Sequence, residues 1–168
     1  NDTTVCNEWN GFFGMFNIAE FINLSDAELS VEVQLFSNEG KPEEPINVKI
    51  APQSQTDIPV HTLKGFAKDT YGKVCSKHSG AKGDLVGRML HYMADTSTTP
   101  WHFQFAFAMP NSNGRVGDQY VPFNLIQPSL KAEDANNFVA NWVQITNFGD
   151  QFEYGRLFFY ALDGSALG

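Results

Sequence analysis

Long apolar runs are missing from this chain. No stretch approaches the ~20 consecutive apolar residues that carry a helix across a bilayer, so membrane insertion is not expected. Charge is also sparse: charged residues make up 18% of the 168 residues. Positive charge is scarcest, with 11 Lys and Arg against 19 Asp and Glu, a net charge of −8. A surface of that sign repels phosphates, which argues against a nucleic-acid partner or an anionic membrane surface but leaves calcium or a cationic partner open. Cysteine is limited to Cys6 and Cys75, too few for a cysteine-rich metal site without other ligands. An even count in a Gly-, Asn- and Thr-rich chain favours one disulfide tying the N-terminus to the 73–77 loop; the alternative is two buried free thiols. A disulfide implies an oxidising, secreted or cell-surface location. No segment sustains a 3.6-residue apolar period, so helix is expected to be a minor component, at most one short turn near Ser129.

What the chain has instead is aromatic mass and period-two alternation. Aromatics form 14% of the residues, and 15 of them are Phe. Residues 7–18 mix Phe and Met with glycines, as in a bulged strand entering a sheet. Val31, Val33 and Leu35 alternate with Glu32 and Gln34, and Ile46, Val48 and Ile50 with Asn47 and Lys49. Ile58 and Val60 open a fourth strand, and Leu85–Met93 a further one. Trp101, Phe103, Phe105, Phe107 and Met109 alternate with His102, Gln104, Ala106 and Ala108, the pattern of a central strand with a buried aromatic face. Tyr120–Ile126, Phe138–Asn147 and Gly155–Leu162 are further candidates, Pro122 restricting the first to an edge. Residues 64–84 look irregular. They hold Lys64, Lys68, Lys73, Lys77 and Lys82, a solvated basic loop or a patch complementary to an acidic neighbouring copy. Turn signals every 8–12 residues and about nine strands predict an all-β, antiparallel two-sheet β-sandwich, immunoglobulin-like or jelly-roll-like, forming a single domain over 1–168.

Two stretches share a layout at one offset of 124 residues: Asn23, Asp26 and Gly40 fall on Asn147, Asp150 and Gly164 without a gap. Both are expected to be hairpins, 16–40 and 139–164. The first continues into a returning strand, 46–50, which the second lacks. Either that strand was cut off with the rest of a longer protein or its slot is filled by another segment; an open slot is a sheet edge that invites strand addition. The Asn at position 1 fits either a mature end left by signal-peptide removal or a fragment of a longer protein.

The unit Asn23-Leu24-Ser25-Asp26 followed by Val31-Glu32-Val33-Gln34-Leu35-Phe36, with its later counterpart Asn141–Asn147, resembles the strand–turn–strand pattern of immunoglobulin-like β-sandwich modules in bacterial secreted and surface proteins. That resemblance spans less than a third of the chain. It implies an extracellular structural or adhesive role by analogy of fold.

Catalytic patterns are scarce. His61, His78, His91 and His102 show no metal-ligand spacing, although His91 and His102 flank the 94–100 loop and are candidates to face each other across it. No Gly-x-Ser-x-Gly elbow or phosphate loop occurs, and neither Cys has a catalytic context. The pairs Glu43-Glu44 and Glu133-Asp134 sit in turns, and 134–137 lacks the alternation of a calcium loop. No cofactor or metal is called for. The expectation is a non-catalytic extracellular structural or adhesive protein, a self-assembling surface or filament subunit whose partners are other copies of itself through open sheet edges. The alternative is a carbohydrate-binding module, or a repeat of a larger surface protein, with polysaccharide held by Trp101, Tyr92 and His102. Trp9, Trp142, Tyr71, Tyr120 and Tyr154 are the remaining aromatics considered, with core packing the competing role for Trp101 and Trp142.

Overall fold

A computed structural model describes residues 3–112 and 143–168. Eight strands are present among them: β1 (Thr4–Asn10), β2 (Phe16–Asn23), β3 (Leu29–Ser37), β4 (Ile46–Ile50), β5 (Gln55–Pro59), β6 (Tyr71–His78), β7 (Leu85–Asp95) and β8 (His102–Pro110). Among the described residues helix is confined to two single 3₁₀ turns, Phe12–Gly14 and Val60–Thr62. The strands form two antiparallel four-stranded sheets, ordered β1-β6-β3-β4 and β5-β2-β7-β8. The all-β two-sheet architecture read from the alternation is therefore present, with eight strands described rather than about nine. The candidate strands Tyr120–Ile126 and 138–142, the turn at Ser129, and Trp142 lie outside the described residues.

Alternation explains the core. β3 aims Leu29, Val31, Val33 and Leu35 inward, and β2 aims Ala19 and Phe21 at them from the opposite sheet. Trp9, Ile50, Ile58, Val60, Val74, Leu85 and Met89 complete the layer. Burying side chains of this size stabilises by about 1.5–3 kcal/mol each relative to exposure.

The stretch 16–40 is not a hairpin. β2 and β3 do not pair; each enters a different sheet, so the turn between them is an arch across the sandwich. The cause is Asn23, which is fully buried. Its Nδ2 donates to the carbonyls of Ala27, Ile50 and Ala51 at 2.7, 3.1 and 3.0 Å, holding the turn against the start of the next connection.

Residues 64–84 are not one irregular loop either. β6 is an inner strand of its sheet, between β1 and β3. Its buried side is Gly72, Val74, Ser76 and His78, small or polar, which hides the period from an apolar count. Gly72 is required there, because a Cβ would lie 2.7 Å from the Trp9 ring. Trp9 Nε1 donates to the Phe36 carbonyl at 3.1 Å across the same gap.

Cys6 and Cys75 are bonded, as the even count suggested. They are direct partners on β1 and β6, with Cα atoms 4.1 Å apart. Cys6 sends its N–H and carbonyl to Ser112 instead of β6, so the pair occupies a non-hydrogen-bonded position, where strands approach closest. A bridge spanning 69 residues stabilises by about 4 kcal/mol through the unfolded chain.

Among the described residues β8 is not the central strand expected: it pairs only with β7 and forms the sheet's edge. The first sheet reaches its far end alone, through the Cys6–Ser112 bonds and Asn7 Nδ2 to the Met109 carbonyl at 2.7 Å. The two sheets are joined at that corner, while Trp101, Phe103, Phe105 and Phe107 are exposed. Among the described residues, 155–162 and 143–147 likewise enter no ladder, and the segment carries one isolated bridge, Tyr160–Ala166.

Candidate interaction surface

The β7–β8 connection builds the most aromatic surface of the described residues. Asp95 closes β7, accepts from the Ser97 amide at 2.9 Å and from its hydroxyl at 2.6 Å, and so shapes the turn. Those Ser97 hydrogen bonds hold the Asp95 carboxyl below its usual range, with His102, its register partner, adding a smaller effect of the same sign. Thr98 Oγ1 donates to the Pro100 carbonyl at 3.0 Å, and the Thr99–Pro100 peptide is cis.

Trp101 follows this turn and stacks on Phe16, with centroids 5.4 Å apart and planes within 16°. Phe16 is the register partner of Tyr92, on the outer face of β2, and His61 meets its edge at 5.0 Å. A bulge between Met93 and Ala94 shifts the register of β8 and brings Phe103 to Tyr92 at 5.9 Å. Beyond the bulge, Phe105 and Phe107 stack on each other, and Phe107 covers His91 at 4.5 Å. Trp101, Phe103, Phe105 and Phe107 are 51, 58, 44 and 41% exposed. Among the described residues the result is an edge strand with aromatic rings on both faces.

The structure thus brings two of the three proposed ligand residues, Trp101 and Tyr92, to the same end of the outer face around Phe16. His102 is exposed and lies opposite Asp95 instead. Core packing for Trp101 is not what is found: one ring face is covered by Phe16 and half of the residue is open. Trp9 is the core tryptophan, 1% exposed.

His91 and His102 do not meet. His91 is opposite Phe107 and wholly buried, with neither ring nitrogen hydrogen-bonded. Burial pushes its pKa down to about 4, so it is neutral in the core at physiological pH. Burial also lowers His78, against a smaller opposing pull from Asp84. Among the described residues no three His, Cys, Asp or Glu side chains converge as a metal-ligand set.

The lysines of 64–84 are dispersed rather than pooled. Lys64 lies 3.7 Å from Glu43, while Lys73 sits over the Phe36 ring and donates to the Asn147 carbonyl at 3.0 Å. Around that contact a cleft of about 840 Å³ runs between the outer face of β3 and β6 and residues 145–153. Sequence reading missed this feature, because it depends on where the last segment lies.

The sequence matches no protein-family model and no curated protein. Two solved structures resemble parts of this chain. A Thermotoga maritima protein, titled only as number 1070 of that organism, superposes with a TM-score of 0.51 at 13% identity, covering 66% of this chain and 92% of its own. An Anabaena sensory rhodopsin transducer is also 13% identical, with a TM-score of 0.38, 44% of this chain and 64% of its own covered. The first of these supports a shared two-sheet fold and nothing finer.

Proposed function

We propose that this chain is a non-catalytic extracellular structural or adhesive module, which associates with copies of itself through the open β8 edge. The observation that carries the reading is β8 itself: nine residues at a sheet edge, bearing four aromatic side chains that are each more than two-fifths exposed. Long, flat, apolar edges are templates for strand addition, and folded proteins ordinarily cover or charge them. The Cys6–Cys75 disulfide is compatible with an oxidising compartment. Light scattering across protein concentration tests the reading. Growing oligomers that revert to monomer in Phe105→Lys are expected; a monomer at every concentration sinks it.

A second reading has its own observation. Trp101 is stacked on Phe16 and 51% exposed, and an exposed, oriented aromatic ring is a surface on which a sugar can stack. On that reading the module binds polysaccharide at Trp101, Tyr92 and Phe103. Isothermal titration with polysaccharides is expected to show micromolar to millimolar binding that Trp101→Ala abolishes while monomer stability is kept.

A further inference from the structure

His91 lies in the interior of the sandwich with neither ring nitrogen served. It is opposite Asn17 on β2 and Phe107 on β8, and its ring lies flat against Phe107, with planes within 15°. The buried amides of this region are already committed. Asn17 Nδ2 donates to the carbonyls of Asn10 and Met15 at 2.6 and 3.1 Å, while its Oδ1 accepts from the Asn10 amide at 2.8 Å. Asn7, at the corner of the two sheets, donates from Nδ2 to the Met109 carbonyl and Asn111 Oδ1, and its Oδ1 accepts from the Glu8 amide at 2.8 Å.

No charged group of the packed elements faces His91 among the described residues. Glu20 of β2 and Arg88 of β7 pair on the outer face of their sheet, and Tyr92 alternates to that face. Asp95 and His102 lie past the bulge, at the exposed end of the β7–β8 pair. Glu8 alternates outward on β1, between buried Asn7 and Trp9. His61 meets the Asn17 backbone at 2.9 Å, on the Phe16 side. A protonated His91 would therefore hold two N–H donors with nothing to receive them, and an unpaired buried charge is far more costly than an opened strand.

The strand over His91 is the one that gives way at least cost. β8 supplies no residue to the hydrophobic core cluster. Among the described residues it is held by the β7 ladder, the rings and the corner contacts of Asn7 and Cys6, and the bulge at Met93/Ala94 already interrupts that ladder. Phe107 is itself 41% exposed, so lifting it admits water to the imidazole.

We propose that β8 is an acid-operated latch: protonation of His91 releases β8 from β7 while the first sheet and the core cluster stay folded. The direction follows from burial, which holds the closed imidazole at about 4 against about 6.5 for an exposed one. The latch is fully closed above pH ~6.5, and opening grows as pH falls toward 4. Presentation of β8, and of the β7 edge beneath it, becomes a function of pH. The inference goes beyond association through β8 and does not rest on it.

Amide exchange of the 168-residue chain tests it, at dilutions where protection no longer depends on concentration, so that association does not contribute. Between pH 7.5 and 4.5, protection over 103–109, corrected for intrinsic exchange, is expected to fall by about 50-fold or more. At pH 4.5 that exchange is expected to be nearly independent of low urea, because local opening exposes little surface; exchange over 31–37 is expected to be slower and to rise steeply with urea. His91→Phe keeps a ring against Phe107 without the proton site, and its protection over 103–109 should be the same at both pH values. Three results would each overturn the proposal. One is unchanged protection over 103–109 in acid. Another is a urea dependence there equal to that of 31–37, which would mean that the sandwich opens only as a whole. The last is an acid loss that persists in His91→Phe. The first two need no variant, so they decide the matter even if His91→Phe does not fold.

Discussion

The arch at 16–42 and the stretch 143–166 have matching turns and different exposure. Their Asn and Gly hydrogen bonds agree within about 0.2 Å, yet Phe21 is 2% exposed and Ile145, at the same place in the layout, is 73% exposed. The comparison separates two scales. Turn geometry is local, written by an Asn side chain that mimics backbone and by a Gly that takes positive φ. Strand pairing is not local, and a strand with no partner supplies no ladder, however well its side chains alternate. The same difference predicts where substitutions will be felt.

The largest effect separates the two apolar faces. Phe21→Ala removes a buried ring from between the sheets and should cost about 3–5 kcal/mol, whereas Ile145→Ala, at its repeat counterpart, should stay within about 0.5 kcal/mol. Urea denaturation of the 168-residue chain measures both. Equal costs would mean that the second arch is packed as the first is, and the contrast would fail.

A smaller effect, confined to the sealed region, comes from pH. His91 is neutral in the fold because burial lowers its pKa to about 4, while the unfolded chain titrates near 6.5. A depressed pKa means the unfolded state binds the proton first. Stability is therefore complete above pH ~6.5 and is lost as pH falls toward 4, on the order of 3 kcal/mol in total. His78 is shifted the same way by burial and adds to the slope. Urea midpoints between pH 4.5 and 7.5 should fall with acid, and His91→Phe should flatten much of that slope. Exchange over 143–161 should not follow it, since both histidines lie in the two sheets, His78 on β6 and His91 on β7.

The strands of the sandwich are legible wherever one face is apolar and the other is not, as in β3, β4 and β7. Where the rule broke, the physical reason is visible. β6 buries Gly72, Ser76 and His78 against a tryptophan, so a core strand looks like a loop. β8 alternates as a central strand does, but alternation reports the shape of a strand and not its place in a sheet. The arch was taken for a hairpin because a polar turn between two alternating strands is common to both. What distinguishes them is the partner of each strand, which no local pattern encodes. Of the candidate surface, Trp101 and Tyr92 were found from residue type; Phe16 and Phe103, which complete their cluster, were placed by register and by one bulge.

The finest contrast lies at the paired asparagines. Asn23 is buried, and its Nδ2 satisfies three carbonyls while its Oδ1 accepts from both the amide and the hydroxyl of Ser25. Asn23→Ala leaves the Ile50 carbonyl without that donor inside the sandwich, a loss of about 1–3 kcal/mol. Asn147 makes the same two local bonds, but its turn is exposed, and water replaces them on truncation. Asn147→Ala should cost no more than about 0.5 kcal/mol. Asn→Asp sharpens the test, since it keeps Oδ1 and removes only the donor. At position 23 it sets a carboxylate against three carbonyls in the core and should destabilise more than Ala does. At position 147 it should be nearly silent.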